Sequence, residues 1–322
     1  MLRQQGAKSQ MINKTYIITG GTGSLGQAIV KALLRRRVKK IIILSRNEHA
    51  QVLMKRDLDD KRLRFFLGDV RDLDRLKRAM QGVDIVIHCA ALKHIDMCSY
   101  NPDETIDTNV IGSQNVRDAA ICNNVEKCLL ISSDKACNPS NLYGATKYAA
   151  EQIFATASAY AGAKGCKFAS IRFGNFIGSS GSVVPLFKKL RDAGAEYLPI
   201  TDKRMTRFMI TFGEAVERIF AALDLMRGGE VFCPKMPSMK ITDVAAAIAP
   251  GAALKEIGIR IGEKLHEEMV TQVEAARTRE LKGFFVIYPD GSGEGRKVPE
   301  GFAYDSGSNG QWMEAVSLEG VN

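Results

Sequence analysis

No apolar run in this sequence approaches the roughly 20 residues that a membrane-spanning helix needs; the longest, such as Ile41-Ile42-Ile43-Leu44, are of strand length. The opening stretch from Met1 to Asn13 carries charge but no apolar core of the kind a secretory signal contains, so neither export nor membrane insertion is expected. Seven cysteines make an odd count with no C-x-x-C pair, which points to free thiols in a reducing cytoplasm. Histidine is scarce: four residues, no i,i+4 pair and no cysteine at ligand spacing, so no metal site is expected at His88 or His94. The net charge of +9 lies in segments such as Lys31 to Lys40 and Lys55 to Arg64. Acidic residues interrupt the second of these and no aromatic platform accompanies either, so nucleic acid is not an expected partner. A ligand bearing several phosphates would benefit from the same field.

The composition is that of a globular protein of 322 residues, 45% hydrophobic and 25% charged, enough for one large domain or two modest ones. Strand-like and helix-like patterns alternate through the first half. Strands are expected at Tyr16–Thr19, Lys40–Leu44, Leu63–Leu67, Asp84–His88, Cys128–Ser132 and Phe168–Phe173. Helices are expected at Ser24–Arg36, from Glu48, at Leu73–Met80, over about Asp103–Asn123 and at Tyr143–Ala161. Near-continuous apolar strands separated by helices predict an α/β fold, a Rossmann-type doubly wound parallel sheet covered on both faces. Beyond Gly174 the segments shorten, punctuated by Pro185, Pro199, Pro234 and Pro237. That pattern predicts a smaller mixed substrate-binding lobe at the carboxyl edge of the sheet, where ligands of such folds bind. The expected division is residues 14–174 for the dinucleotide-binding domain, 175–289 mainly for the lobe with some segments returning to the sheet, and 290–322 for a polar tail without assigned chemistry.

Gly20-Gly21-Thr22-Gly23-Ser24-Leu25-Gly26 follows an expected strand and opens an expected helix. Glycines at 20, 23 and 26 permit a tight turn, a close approach to a pyrophosphate and close helix–strand packing, and the helix N-terminus adds amides and a positive dipole. At the end of the second strand an acidic residue would bond a ribose 2′-hydroxyl; here Ser45 and Arg46 stand instead, which favours NADP over NAD, unless Arg46 is simply a solvated arginine. Asp69 and Val70 follow the third strand, where they suit the adenine; Asp69 equally suits a helix N-cap. After the fourth strand, Ala90 and Ala91 are small enough to lie flat against the cofactor, with Lys93 and His94 directed into the cleft.

On a helix, Tyr143 and Lys147 lie one turn apart on one face, so the ammonium can lower the pKa of the phenol and make it a usable base. Ser133, ending the preceding strand, can partner the same oxygen. Asp134 and Lys135 are two unlike ionisable groups at the end of a buried strand, where a substrate would lie; an exposed ion pair on a turn is the plainer alternative.

These motifs resemble the extended short-chain dehydrogenase/reductases that modify nucleotide-sugars. More narrowly, Thr19-Gly20-Gly21-Thr22-Gly23-Ser24, Ala90-Ala91-Leu92-Lys93-His94, Ser132-Ser133-Asp134-Lys135-Ala136, Arg172-Phe173-Gly174-Asn175, Leu198-Pro199-Ile200-Thr201-Asp202, Arg204-Met205-Thr206-Arg207-Phe208 and Gly262-Glu263-Lys264-Leu265-His266-Glu267 are similar to the inverting UDP-N-acetylglucosamine 4,6-dehydratases. The likeness runs in matching order from about Lys14 to Pro289; at Arg260-Ile261-Gly262-Glu263 it departs, since relatives usually place proline between arginine and glycine. The resemblance implies a hydro-lyase of the pseudaminic acid route with tightly bound NADP regenerated at each turnover, in a homo-oligomer (dimer or hexamer). It implies that Tyr143, with Lys147 and Ser133, takes the sugar O4 proton as hydride leaves C4. A neutral Lys135, its pKa pushed down by burial beside Lys147 and the nicotinamide, then removes the C5 proton, and a protonated Asp134 releases the C6 hydroxyl as water. Hydride returns to C6, and Lys135 supplies the C5 proton on the opposite face. Lys93 and Asn175 are expected at sugar or phosphate, Arg207 and Arg260 at the diphosphate. Glu263 and Glu267 are expected at ribose or uracil, or else are helix-surface charges. An epimerase would need Tyr143 and Lys147 but no elimination pair, retaining dehydratases typically carry Asp-Glu, some Asp-Lys relatives replace the tyrosine by methionine, and an inactive NADP-binding sensor would have lost these groups.

Overall fold

The computed structural model describes residues 11–162, 165–179 and 181–314. Its first half alternates β1 (Thr15–Thr19), α1 (Ser24–Leu34), β2 (Lys40–Ser45), α2 (Glu48–Leu58), β3 (Leu63–Leu67), α3 (Leu73–Ala79) and β4 (Ile85–His88). Then follow α4 (Ile95–Tyr100), α5 (Pro102–Ile106), α6 (Gly112–Cys122), β5 (Lys127–Ser133), α7 (Leu142–Ala161) and β6 (Lys167–Phe173). One helix was expected over 103–123; a π-helical turn at Asp107–Ile111 separates α5 from α6 instead. Side-chain periodicity cannot reveal such a turn, because the extra residue is accommodated by local hydrogen bonding.

The chain continues through β7 (Asn175–Phe176), α8 (Val183–Asp192), β8 (Tyr197–Ile200), β9 (Thr206–Ile210), α9 (Phe212–Leu225), β10 (Val231–Pro234), β11 (Ser238–Lys240), α10 (Ile241–Ile248) and β12 (Ala253–Glu256). It ends in β13 (Glu268–Val270), α11 (Gln272–Ala275), β14 (Thr278–Leu281), β15 (Phe284–Ile287), β16 (Arg296–Lys297) and β17 (Tyr304–Asp305). The main sheet runs β16-β14-β15-β10-β6-β5-β4-β1-β2-β3. The pairs from β3 across to β10 are parallel, while β15, β14 and β16 extend that edge with antiparallel pairs.

Alternation along each strand builds a core on either face. Tyr16, Ile18, Ile41 and Ile43 pack with Ile29 and Leu33 of α1 and with Ile219 and Leu223 of α9. Ile17, Ile42, Leu44 and Val86 face the opposite layer, with Leu76 of α3, Val116 of α6 and Phe154 of α7. Each such side chain contributes about 1.5–3 kcal/mol by burial, which is why the parallel strands read as unbroken apolar runs. The order reverses between β1 and β4, and this switch point opens the crevice at the carboxyl ends of the strands.

A separate lobe stands beyond that edge. It comprises the β7-β9-β11 sheet, the β8-β12 pair, α8 and α10, around Val184, Phe187, Leu198, Met209, Val244 and Ile248. Residues 290–314 are woven into the rest: β16 pairs with β14, β17 with β13, and Trp312 bridges to Ser238. All seven cysteines are free, and among the described residues no helix is long and apolar enough to cross a membrane.

Candidate active site

The glycine turn is shaped by the strand beside it. Gly20 has φ of +66°, and a β-carbon there would stand 2.9 Å from the backbone N and Cα of Ala90. One at Gly26 would stand 2.6 Å from the carbonyl oxygen of Gly20. The loops after β1 and β4 therefore meet backbone to backbone at the switch point. Gly23, with no side chain, leaves the N-terminus of α1 without a side-chain cap, so the amides of its first turn lack that acceptor. A closely packed glycine cradle at an uncapped helix start fits a dinucleotide pyrophosphate. Thr22 belongs to the same turn, where its carbonyl accepts from Gln27 Nε2 at 2.9 Å.

At the end of β2, Ser45 is buried and its hydroxyl accepts from Gln51 Nε2 at 3.0 Å, whereas Arg46 is exposed. Arg46 Nη1 lies 3.7 Å from Asp69 Oδ2, and Arg71 pairs with the same oxygen at 2.8 Å. Burial alone would raise the pKa of Asp69, but its bonds to Arg71 outweigh that and lower it. Asp69 is not the cap of α3; Asp72 is, accepting from the amide of Arg75. Val70 is buried against Gly112, whose missing β-carbon makes room for it. Ala90 and Ala91 are half-buried along the loop after β4, Lys93 is exposed there, and partial desolvation lowers the pKa of Lys93.

β5 delivers Ser133 to its carboxyl end, and a single 3₁₀ turn at Asp134–Ala136 follows. Asn141 then caps α7 by accepting from the amide of Gly144. Ser133 Oγ donates to Asp134 Oδ1 at 2.9 Å, and Lys135 Nζ donates to the same oxygen at 3.0 Å. The second oxygen, Oδ2, is buried with no hydrogen-bond partner among the described residues. Lys135 Nζ also lies 3.2 Å from Glu267 Oε1. The pair is thus interior, not an exposed ion pair on a turn.

The electrostatics correct one expectation. Burial would push the Lys135 pKa down, but Asp134 and Glu267 outweigh it and the net direction is upward, so the free protein holds an ammonium there. The reason lies in the flanking carboxylates, one of them remote in sequence. Burial raises the Asp134 pKa, opposed by Lys135 and reinforced by Glu267. Tyr143 is buried and pushed up to about 12 by desolvation, with Lys135 and a hydrogen bond to Ser133 pulling the other way. Lys147 donates to the carbonyl of Ile131 at 2.7 Å, and burial brings its pKa down to about 8. In the free protein the cation acting on Tyr143 is thus Lys135, while Lys147 is anchored to β5.

Residues to which the sequence reading assigned no role support this arrangement. Asn109, in the π turn, accepts from the Leu92 amide at 2.8 Å and donates to the Leu92 carbonyl at 3.0 Å and to Thr146 Oγ1 at 3.1 Å. Thr146 in turn donates to the carbonyl of Tyr143 at 2.9 Å, so the loop after β4 and α7 are tied together. His88 is buried between Thr19 Oγ1 at 2.6 Å and Ser113 Oγ at 3.1 Å, and desolvation lowers its pKa to about 3, so it stays a neutral structural link. Arg172 on β6 is enclosed by Glu151 of α7 and Glu274 of α11, each at 2.8 Å. A polar residue in an otherwise apolar strand or helix was the only available signal for these.

The lobe brings further candidates to the same crevice. Arg207 is buried on β9, donating to the carbonyls of Thr206 at 2.7 Å and Leu265 at 3.2 Å, with Nε 4.0 Å from Glu267 Oε1. Asn175, half-buried on β7, pairs with Met209 of that sheet. Arg260 and Glu263 sit in one turn, docked where the Gly262 carbonyl accepts from Ser140 Oγ and Asn141 Nδ2, both at 2.8 Å. That places them at the N-terminus of α7, with Arg260 exposed and Glu263 half-buried. Glu267 is not a helix-surface charge; it is buried against Lys135.

Residues 16–289 match the family model described as polysaccharide biosynthesis protein. The chain is 48% identical, over 96% of its length and 97% of the relative's, to a UDP-N-acetylglucosamine 4,6-dehydratase (inverting) of Campylobacter jejuni. It is 38% identical, over 87% of its length and 84% of the relative's, to a UDP-glucose 4-epimerase of Rickettsia prowazekii. The X-ray structure of Pen from Bacillus thuringiensis superposes with a TM-score of 0.87 at 35% identity, covering 96% of this chain and 97% of that one. With a family match over residues 16–289 and 48% identity along nearly its whole length, the chain belongs to the polysaccharide biosynthesis protein family and, within it, to the group of the inverting UDP-N-acetylglucosamine 4,6-dehydratases.

Proposed function

We propose that this protein is a hydro-lyase that converts UDP-N-acetylglucosamine to UDP-2-acetamido-2,6-dideoxy-β-L-arabino-hex-4-ulose. The observation that carries this reading is the buried Asp134–Lys135 pair beside Tyr143, with Asp134 Oδ2 lacking a partner. A bound nicotinamide supplies temporary storage of the hydride that leaves C4 and returns at C6. The cofactor-binding set is Gly20, Thr22, Gly23, Ser24, Leu25, Gly26, Ser45, Arg46, Asp69, Val70, Ala90, Ala91 and Lys93, with Tyr143 and Lys147 at the reacting end. Arg46, the one exposed cation at the tip of β2 in that set, supports NADP over NAD.

Tyr143 accepts the O4 proton, its phenolate favoured by Lys135, Ser133 and Lys147. Transfer of one proton along the 3.0 Å bond from Lys135 to Asp134 converts an ammonium and a carboxylate into an amine and a carboxylic acid. The amine then takes the C5 proton, acidified by the 4-ketone. The acid donates to the C6 hydroxyl, which departs as water, leaving a C5–C6 double bond conjugated to the ketone. Inversion requires that C5 regain a proton on the face opposite the one it lost. Arg207, Arg260, Asn175, Glu263 and Lys93 bind the nucleotide-sugar beyond the reacting ring. The protein works as a cytoplasmic homo-oligomer.

A 4-epimerase reading is favoured by the Rickettsia relative, and one experiment separates the two. Purified protein given UDP-N-acetylglucosamine in D₂O, with no added cofactor, is expected to yield a 4-keto-6-deoxy sugar carrying deuterium at C5 in the L-arabino configuration. Recovery of UDP-N-acetylgalactosamine alone would sink the dehydratase assignment.

A further inference from the structure

Glu267 is the unusual member of the site. Its side chain is 3% exposed, with Oε1 3.2 Å from Lys135 Nζ and 4.0 Å from Arg207 Nε. Oε2 stands 4.0 Å from Lys264 Nζ and has no hydrogen-bond partner among the described residues. A buried carboxylate is costly unless its charge is used, and the cation nearest to it is the ammonium that Asp134 also holds.

The backbone of Glu267 is fixed by the chain beyond residue 289, outside the part matched by the family model. The Glu267 amide donates to Ser306 Oγ at 2.9 Å, and the Ser306 amide donates to the Glu267 carbonyl at 2.8 Å, closing a ring. Ser306 is fully buried and its hydroxyl also meets Thr206 Oγ1 at 2.8 Å, which in turn meets His266 Nδ1 at 2.8 Å. β9 of the lobe and the carboxyl-terminal segment thus converge on the backbone of this one glutamate.

Resting on the acid–base roles given above to Asp134 and Lys135, we propose that Glu267 is a positioning residue whose charge sets the protonation of that pair, and that Ser306 holds it in place. The charged and titratable groups around it are Asp134 and Lys135 on the turn after β5, Tyr143 on α7, Arg207 on β9, and Lys264 and His266 ahead of β13. A fixed negative charge beside Lys135 stabilises its ammonium and also disfavours the carboxylate of Asp134, so both groups hold their protons to higher pH than they otherwise would. The pair titrates as a unit, so the effect falls on both limbs of the pH–rate profile.

The test uses the full-length protein with its bound cofactor and UDP-N-acetylglucosamine. Glu267→Gln, of the same shape, is expected to move both limbs of the kcat/KM profile to lower pH by about one unit and to cut kcat at pH 8 by about tenfold, with KM little changed. Glu267→Asp keeps the charge, so its limbs stay at the wild-type positions even where kcat falls, and it serves where the glutamine variant does not fold. Ser306→Ala lowers kcat with unmoved limbs. A Glu267→Gln enzyme whose limbs stay in place, with or without a fall in kcat, overturns the proposal, as do Glu267→Asp limbs displaced to lower pH. Elimination that survives in Asp134→Asn and Lys135→Ala would instead overturn the roles of the pair itself, so the two failures are distinguishable.

Discussion

A β-carbon on Gly144 would lie 2.2 Å from the carbonyl oxygen of Lys135. The third residue of α7 is therefore what allows the Asp134–Lys135 turn to rest against that helix beside Tyr143. In a solvent-exposed helix interior, glycine to alanine is worth about 1 kcal/mol of stabilisation. Here the sign reverses: Gly144→Ala is expected to destabilise by about 1–3 kcal/mol through overpacking. Displacing the turn by an ångström lowers kcat by about 100-fold. Urea denaturation and steady-state kinetics on one preparation check both, and an alanine variant that is more stable and fully active would refute the packing account.

The two halves of the chemistry separate by mutation. Tyr143→Phe removes the group that takes the O4 proton and is expected to slow the whole reaction by about 10²–10⁴-fold. Lys135→Ala is expected to abolish loss of water while leaving cofactor content unchanged, since Lys135 faces Asp134 and Glu267 and not the glycine turn. Product analysis by proton NMR, alongside the absorbance of bound cofactor, distinguishes the two variants. Retained turnover in Lys135→Ala removes the lysine from the mechanism.

Arg172 carries a stability prediction with a definite pH dependence. Enclosed by Glu151, Glu274 and the Met269 carbonyl at 2.7 Å, it compensates two buried or half-buried carboxylates. Arg172→Met leaves them uncompensated and is expected to cost about 3–5 kcal/mol at neutral pH. Burial would raise the Glu274 pKa, but Arg172 outweighs it and the net direction is below the ordinary value of 4.5. A carboxylate with a depressed folded pKa adds stability that is fully present above its unfolded pKa and lost as pH falls through the folded one. The wild type should therefore lose this contribution only in acid, below about pH 4.5, whereas the variant lacks it throughout. Thermal melts across that range check it; equal losses for both proteins at every pH would count against the ion pair.

Coenzyme choice is tested at the tip of β2. Arg46 is exposed and only 3.7 Å from Asp69, so its guanidinium can turn toward a 2′-phosphate. Arg46→Asp replaces attraction by repulsion and is expected to shift the NADP-to-NAD affinity ratio by at least about 10–100-fold, the worth of one charged hydrogen bond. Titration of cofactor-stripped protein with each dinucleotide measures it, and an unchanged ratio would leave Arg46 a solvated surface charge.

Much of the fold was legible because buried parallel strands must be apolar on both faces. Ile17 and Ile18, or Ile42 and Ile43, read as continuous runs for that reason and marked β1 and β2 within a residue of their ends. The glycine turn was legible because Gly20 alone can hold its backbone angle against Ala90. The nearness of Asp134 and Lys135 to Tyr143 was legible because one turn and one helix join them, whereas the anchoring of Lys147 on the Ile131 carbonyl was not. The π turn at Asp107–Ile111 was not, since its five residues have ordinary helical composition and only the fixed contacts of Asn109 reveal its purpose.

By itself the sequence determined the strands and most helices of the parallel sheet and the glycine turn, which follow from periodicity and near-neighbour geometry, and its family resemblance pointed to Asp134 and Lys135. Only the tertiary structure decided the charge of that pair. Burial pushes the Lys135 pKa down; Asp134 beside it opposes this, and the return of the chain along β13, pinned by Ser306 of the carboxyl-terminal segment, adds Glu267 at 3.2 Å, so the net direction is upward. A Coulombic interaction depends on distance through space, and no spacing along the chain encodes where two remote segments meet.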